Sequence, residues 1–182
     1  MSALFEPFKL KDVTLRNRIA IPPMCQYMAE DGHVTDWHTI HLGQMALSGA
    51  GLLIIEATAV EAVGRITHGC VGLYLDTHEA ALKKVIDSVR KYSVMPIMIQ
   101  LGHAGRKASS YRPWEGGQLQ TPADGGWEVA GPSAIPQLPN EAAPKAFELA
   151  DLKRLRQAFV DAAKRSVRIG FDGIELHSAH GY

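Results

Sequence analysis

Apolar and polar positions alternate along parts of this chain and cluster along others, and the changes of period mark out its elements. Residues 8–20, Phe-Lys-Leu-Lys-Asp-Val-Thr-Leu-Arg-Asn-Arg-Ile-Ala, partly alternate with the period of a half-exposed strand pair, which predicts a small hairpin turning near Lys11-Asp12. Ile19–Met24 then reads as a first core strand, ended by Pro22-Pro23 because proline cannot donate to a sheet ladder. Residues 25–34 read as a loop with a turn at Asp31-Gly32. Thr35 is placed to cap a first helix running to about Leu47, closed by Gly49 and Gly51. Leu52–Thr58 is short and mostly apolar, the pattern of a strand covered on both faces. A second helix is expected from Asp76 or Thr77, with Glu79 completing a capping box and Leu82, Val85, Ile86 and Val89 forming its buried stripe. Pro96–Leu101 reads as a third strand. Residues 102–148 are rich in Gly, Pro and small polar residues, and a connection of that length is usually a lid, a binding loop or a flexible linker. Asp151 is expected to cap a third helix with Leu152, Leu155, Phe159 and Ala163 on one face, stopping before Gly170, and Gly173–Leu176 is the fourth strand.

Strands and helices in alternation imply an α/β fold with a parallel sheet. A dinucleotide-binding doubly wound sheet would carry Gly-x-Gly-x-x-Gly after a strand. The nearest approach, Gly49-Ala50-Gly51, precedes a strand and has Ile54 at the third glycine position. A (β/α)8 barrel needs no such motif and takes about 250 residues. The expected architecture is therefore the first half of a (β/α)8 TIM barrel preceded by an N-terminal β-hairpin, with residues 1–182 as the N-terminal half of one domain.

Composition narrows the setting. The chain has 182 residues, 46% of them hydrophobic, enough to bury a core. Lys+Arg and Asp+Glu are both 19, so no long-range attraction to nucleic acid or an anionic membrane is expected. The first ten residues lack the basic and apolar regions of a secretory signal, and no apolar run approaches the roughly 20 residues of a membrane span. Cys25 and Cys70 are the only cysteines, too few for a disulfide framework, and a cytoplasmic setting is expected.

Candidate chemistry gathers where the strands run out. Cys25 and Tyr27 follow the first strand, Glu56 and Thr58 close the second, Gln100 and His103 lie in and after the third, and His177, His180 and Tyr182 follow the fourth. Barrel active sites are assembled in this way from several strand ends. Two imidazoles followed by a phenol suit an enzyme that holds a carbonyl oxygen and protonates a neighbouring carbon. Tyr182 is protonated at neutral pH from its unperturbed pKa near 10. The histidines could instead ligate a metal with His103 or Cys25 as third ligand, though no His-Glu-x-x-His motif is present. Each histidine could also be structural and each thiol inert. Gln100, polar in an apolar strand, needs partners if buried, either backbone or a planar edge such as a flavin pyrimidine.

Pro22-Pro23-Met24-Cys25-Gln26-Tyr27, Glu56-Ala57-Thr58, Gln100-Leu101-Gly102-His103-Ala104-Gly105-Arg106 and His177-Ser178-Ala179-His180-Gly181-Tyr182 together resemble the Old Yellow Enzyme family, with Cys25 and Tyr27 pointing to its thermophilic-like bacterial branch. The resemblance implies an FMN-dependent ene-reductase in which NAD(P)H reduces the flavin and the flavin passes hydride to the β-carbon of an α,β-unsaturated carbonyl compound. It implies that His177 and His180 bind the substrate's carbonyl or nitro oxygen and that Tyr182 protonates the α-carbon. Cys25 would sit against the flavin and tune its potential, and Tyr27 would contact substrate. Pro23, Met24 and Ala57 would line the isoalloxazine, and Gln100 would bind its pyrimidine edge. Enones, nitro compounds and nitrate esters are the implied substrates, and a homo-oligomer the implied assembly. Family members are about twice as long and carry flavin-binding arginines further downstream. The chain is accordingly expected to be an N-terminal fragment that needs a complementary C-terminal half to bind FMN and turn over. A metal-dependent barrel hydrolase and a catalytically silent half-barrel subunit are the competing readings.

Overall fold

The structure is a computed structural model that describes residues 2–182. Its first feature is the expected hairpin, β1 (Phe8–Leu10) against β2 (Val13–Leu15), with Lys11 in the left-handed region at φ 50° making the turn. The hairpin stops at Leu15 instead of running on to Ala20. Asn17 leaves the ladder because its side chain is used elsewhere: its Nδ2 donates to Gly49 O at 2.9 Å and its Oδ1 accepts the Ile19 N–H at 3.1 Å. Backbone passes so close here that a Cβ on Gly51 would lie 2.2 Å from Asn17 O.

The first core strand, β3 (Ala20–Ile21), is shorter than the apolar pattern predicts. Proline ends it three residues earlier than expected, so Pro22, Pro23 and Met24 belong to the following loop. β4 (Leu52–Ala59), β5 (Ile97–Gly102) and β8 (Gly173–Leu176) match the predicted strands to within a residue. Helices α1 (Asp36–Ala46), α2 (Asp76–Arg90) and α3 (Leu149–Ile169) connect them. The four strands pair in parallel in the order β3-β4-β5-β8. Right-handed crossovers that always step in one direction place every helix on one face, which is the arrangement of a barrel wall and not of a doubly wound sheet. Ile97, Ile99 and Leu101 point to that face and pack with Leu82, Ile86, Ala162 and Ile169 in the buried core. Each leucine and isoleucine among them contributes about 1.5–3 kcal/mol on burial. Alternation turns Met98, Gln100 and Gly102 to the other, inner face. Gly173 lies opposite Met98, where a Cβ would meet the methionine Cε at 2.8 Å. Among the described residues, β8 has a sheet neighbour on one side only.

Helix starts differ in detail from the expectations. Thr35 caps α1, and the reciprocal bond comes from His38, whose Nδ1 accepts the Thr35 N–H at 2.9 Å. The α2 cap position is Leu75, and Glu79 is drawn away from a capping box by Arg168, which donates to both its carboxylate oxygens at 2.8 and 2.7 Å. For α3 the cap residue is Glu148, not Asp151. Asp151 sits three residues on and accepts the Glu148 N–H at 3.1 Å, the other half of the box. Gly170 ends the helix at φ 98°.

Residues 102–148 form a folded cap with little regular structure. It holds three short 3-10 turns (Gly105–Lys107, Pro113–Glu115 and Pro122–Asp124) and a two-residue parallel pair, β6 (Ala130–Gly131) with β7 (Lys145–Ala146). Buried Ser109 organises it, donating to Gln120 O at 2.7 Å and accepting the Trp127 N–H at 2.9 Å. Trp127 Nε1 in turn donates to Val63 O at 2.9 Å, which fastens the cap to the loop after β4. Among the described residues no helix is long and apolar enough to cross a membrane.

Candidate active site

The carboxyl ends of β4, β5 and β8 open into one shallow concavity, lined among others by Ala57, Thr58, Cys70, Gly102, His177 and Tyr182. His177 extends the β5–β8 ladder by one bond, its N–H donating to Leu101 O at 2.9 Å. The chain then turns sharply: His180 and Gly181 both take left-handed φ, 59° and 73°, and the Tyr182 N–H returns to Ala179 O at 3.3 Å. A non-glycine residue held there is strained, and such strain gathers at functional sites. The turn gathers the three side chains. The His177 ring centre is 5.7 Å from that of His180 and 4.9 Å from that of Tyr182. Gly102 makes room, since a Cβ there would press on His177 Cβ at 3.2 Å. Lys107 Nζ lies 4.8 Å from the centre of the Tyr182 ring and donates to His180 O.

Protonation states follow from these surroundings. Burial, then the neighbouring His180, holds His177 below the usual imidazole range. The Ala179 N–H faces its Nδ1 at 3.4 Å, which leaves Nε2 as the protonated, donating nitrogen of a neutral ring. Burial pushes the Tyr182 phenol up, so it keeps its proton at neutral pH.

The loop after β3 faces the same space. Tyr27 is a second strained residue, at φ 56°, with its ring edge-on to Trp114 at 5.8 Å. Half-buried Cys25 is hydrogen-bonded to buried Cys70, and this bond, with burial, pushes the Cys25 thiol up. Cys70 is shifted down, because its sulfur accepts from Cys25 and from the Thr67 N–H at 3.3 Å. Cys25 is therefore a thiol at neutral pH, not a reactive thiolate.

The structure thus brings His177, His180 and Tyr182 together, with Ala57 in the same wall and Cys25 and Tyr27 across from them. Met24 lines a separate hollow with Pro22, His41 and Glu56. Gln100 lies on the inner face below the concavity, and its Nε2 donates to Glu175 Oε1 at 2.6 Å. His103 is spoken for: its Nε2 meets Glu61 Oε1 at 3.0 Å and its Nδ1 accepts the Gly105 N–H at 3.0 Å, while Glu61 is also paired with Arg154. The metal reading thereby loses its third imidazole, and among the described residues no three His, Cys, Asp or Glu side chains converge to hold an ion. Sequence reasoning missed the Glu61–Arg154 support, the pairing of Cys70 with Cys25, and Lys107. Only Gly64 signalled the first of these, as a residue without a side chain where a Cβ would lie 2.5 Å from His103 Cδ2.

A flat aromatic cofactor fits these residues. Ala57, Ala59, Gly102 and Ala104 present almost no side-chain bulk along the concavity, and Cys70 adds polarizable sulfur.

Known proteins are similar to this chain in sequence and in fold. An NADH:flavin oxidoreductase of Gibberella zeae is 45% identical over 98% of this chain and 44% of its own length. An NADPH dehydrogenase of a Geobacillus species is 41% identical over 98% of this chain and 48% of its own. Among solved structures, an Old Yellow Enzyme from a Pichia species superposes with a TM-score of 0.83 at 29% identity, over 99% of this chain and 47% of that one. Morphinone reductase superposes with a TM-score of 0.82 at 27% identity, over 98% and 48%. The chain spans about half the length of these relatives. The model of the NADH:flavin oxidoreductase / NADH oxidase family matches residues 3–182, and this chain belongs to that family.

Proposed function

We propose that the protein to which this chain contributes is an NAD(P)H-dependent FMN ene-reductase acting on α,β-unsaturated carbonyl or nitro compounds. The observation that carries the proposal is the turn after β8, which puts His177 and a protonated Tyr182 in the wall of one concavity and His180 beside them. Bound there, FMN would supply the hydride for the β-carbon of the substrate, with NAD(P)H as its reductant. Ala57 and Cys25 line the place for its ring, with Pro23 and Met24 contributing from the loop after β3 and Gln100 from below. His177, neutral with Nε2–H outward, and His180 donate hydrogen bonds to the carbonyl or nitro oxygen. Negative charge grows on that oxygen as the β-carbon is reduced, so the two donors stabilise the transition state more than the ground state. Tyr182 gives its proton to the α-carbon and recovers one from solvent. Tyr27 closes the opposite side of the substrate space.

The same reading includes a C-terminal half that continues the sheet from β8. Leu176 there is 62% exposed, an apolar position suited to a further helix. Enones, nitro compounds and nitrate esters all offer the oxygen the histidines require. A homo-oligomer in the cytoplasm completes the proposal.

The experiment is a Tyr182→Phe substitution in the flavin-loaded protein. Flavin reduction by NADPH should keep its rate, while reduction of cyclohexenone falls by about 10²–10⁴, the range of general acid catalysis. An unchanged enone rate would refute the assignment of Tyr182. Failure to retain flavin through gel filtration in a protein of the relatives' full length would refute the function.

A further inference from the structure

Glu56 is a buried carboxylate that the reaction above does not use. It is only 6% exposed and, among the described residues, pairs with no lysine or arginine. A buried charge needs hydrogen bonds to persist, so its partners show what it is for. In the β4–β5 register Ile55 pairs with Ile99 and Ala57 with Gln100, which leaves Glu56 as the extra residue of a bulge. Bulges re-aim side chains, and this one sends a carboxylate towards the loop after β3. There Glu56 Oε2 accepts the Gln26 N–H at 3.1 Å. That N–H belongs to the peptide joining Cys25 to Gln26, so the bond fixes the plane from which the Cys25 side chain leaves. On its other side Glu56 Oε1 faces His38 Nε2 at 3.4 Å. His38 Nδ1 already accepts the Thr35 N–H at 2.9 Å, so the ring's proton sits on the nitrogen turned to Glu56. The loop has further ties. Gln26 Nε2 donates to Met24 O at 2.8 Å, Trp37 Nε1 donates to Gln26 Oε1 at 3.2 Å, and Thr35 Oγ1 donates to Met28 O at 3.0 Å. All of these lie on the loop's own flank or at its far end. The Cys25 sulfur itself is held by Cys70 and by the Ala57 backbone; Glu56 is the side chain that reaches the loop's backbone from the strand floor of the site, between Cys25 and the strained Tyr27.

We infer that Glu56, beside His38, is a positioning residue that fastens the Cys25–Gln26 peptide to the floor of the site and so helps to set where the Cys25 thiol and the Tyr27 ring stand. The consequence for turnover rests on the reading that Cys25 lines the flavin place; the fastening itself does not. Removing the acceptor frees the peptide to rotate and the left-handed Tyr27 to relax. Glutamine at position 56 keeps an acceptor oxygen of the same reach, and leucine removes it.

Two readouts test this. In the protein without substrate, Cys25 alkylation by iodoacetamide at fixed pH should speed up about tenfold or more in Glu56→Leu, the change that loss of a hydrogen bond to a charged acceptor carries. Glu56→Gln should stay within about twofold of the parent on the same scale. Cys70, 1% exposed, serves as the internal control for global unfolding. Equal Cys25 rates in all three folded proteins would overturn the inference. Should Glu56→Leu not fold, the Gln26 amide of the unaltered protein decides: slow hydrogen exchange is expected, and exchange at the rate of an open loop would overturn it. With flavin bound, Glu56→Leu should shift the midpoint potential and Glu56→Gln restore it. A protein that never binds flavin would refute the proposed function while leaving the alkylation and exchange results to judge Glu56.

Discussion

Lowering the pH from 7 to 5 should destabilise this fold, with the largest contribution from His78. It is 1% exposed on α2, beneath the turn at Gly32, where a Cβ would lie 2.9 Å from its ring. Its Nε2 donates to Asp31 O at 3.0 Å, its Nδ1 has no partner, and the rings of His33 and Tyr74 stand edge-on at 4.3 and 4.4 Å. No carboxylate reaches the ring to balance a charge, and burial lowers its pKa from 6.5 to about 4. The unfolded chain therefore takes up a proton that the folded chain refuses, and stability is lost as pH falls from the unfolded value towards the folded one. The whole shift is about 3.4 kcal/mol, of which about 1.8 kcal/mol falls between pH 7 and pH 5. Urea unfolding followed by circular dichroism, at both pH values, measures the loss. His78→Gln can still donate to Asp31 O but cannot titrate. It should be less stable than the parent at pH 7 and lose about 1.8 kcal/mol less than the parent on going to pH 5. Parallel pH profiles for the two proteins would refute the reasoning, because other titrating groups are common to both.

Three further outcomes are expected. Gly64→Ala should destabilise the protein by about 1–3 kcal/mol in urea unfolding, since the new methyl must displace the His103 ring that Glu61 and Arg154 hold in place. Asp172→Ala should lower stability by about 1–3 kcal/mol, read as a shifted urea midpoint, because its carboxylate accepts the Ile97 N–H at 2.7 Å and pairs with Arg90 at the start of two strands. Cys25 alkylation by iodoacetamide should still be rising with pH above 9 in the parent protein, where a free thiol has levelled off; Cys70→Ala removes the bond that raises the Cys25 pKa and should bring the inflection down.

What could be read from the sequence was local. A period of two gave the hairpin, apolar runs gave three of the four sheet strands nearly to the residue, and spacing of Leu82, Val85, Ile86 and Val89 gave the buried stripe of α2. The motifs at strand ends placed the candidate site, because a parallel sheet puts all those ends on one side. What failed was competition between partners. Glu79 could cap its own helix or bind Arg168, and only the packing of α2 against α3 decides; Asp151 could be the cap or its reciprocal partner, a choice made by where the chain leaves β7. Gln100 meets Glu175 only once the register of β5 and β8 is known, and Glu61 meets Arg154 across 93 positions. Composition left residues 102–148 open between a lid, a binding loop and a linker, and the hydrogen-bonded frame that Ser109 and Trp127 give them depends on partners far apart in the chain.

Spatial order and chain order coincide in the sheet, and this bears on how the fold is reached. Each strand lies beside the one made before it, so no pairing has to wait for a distant segment, and assembly can follow synthesis from the N-terminus. The stretch from Gly102 to Gly173 is roughly twice as long as that from Ala59 to Ile97. Closing a loop of doubled length adds only about 0.6 kcal/mol of entropy. Evolution could therefore insert a binding cap between the third and fourth sheet strands with little effect on the order in which the wall is built.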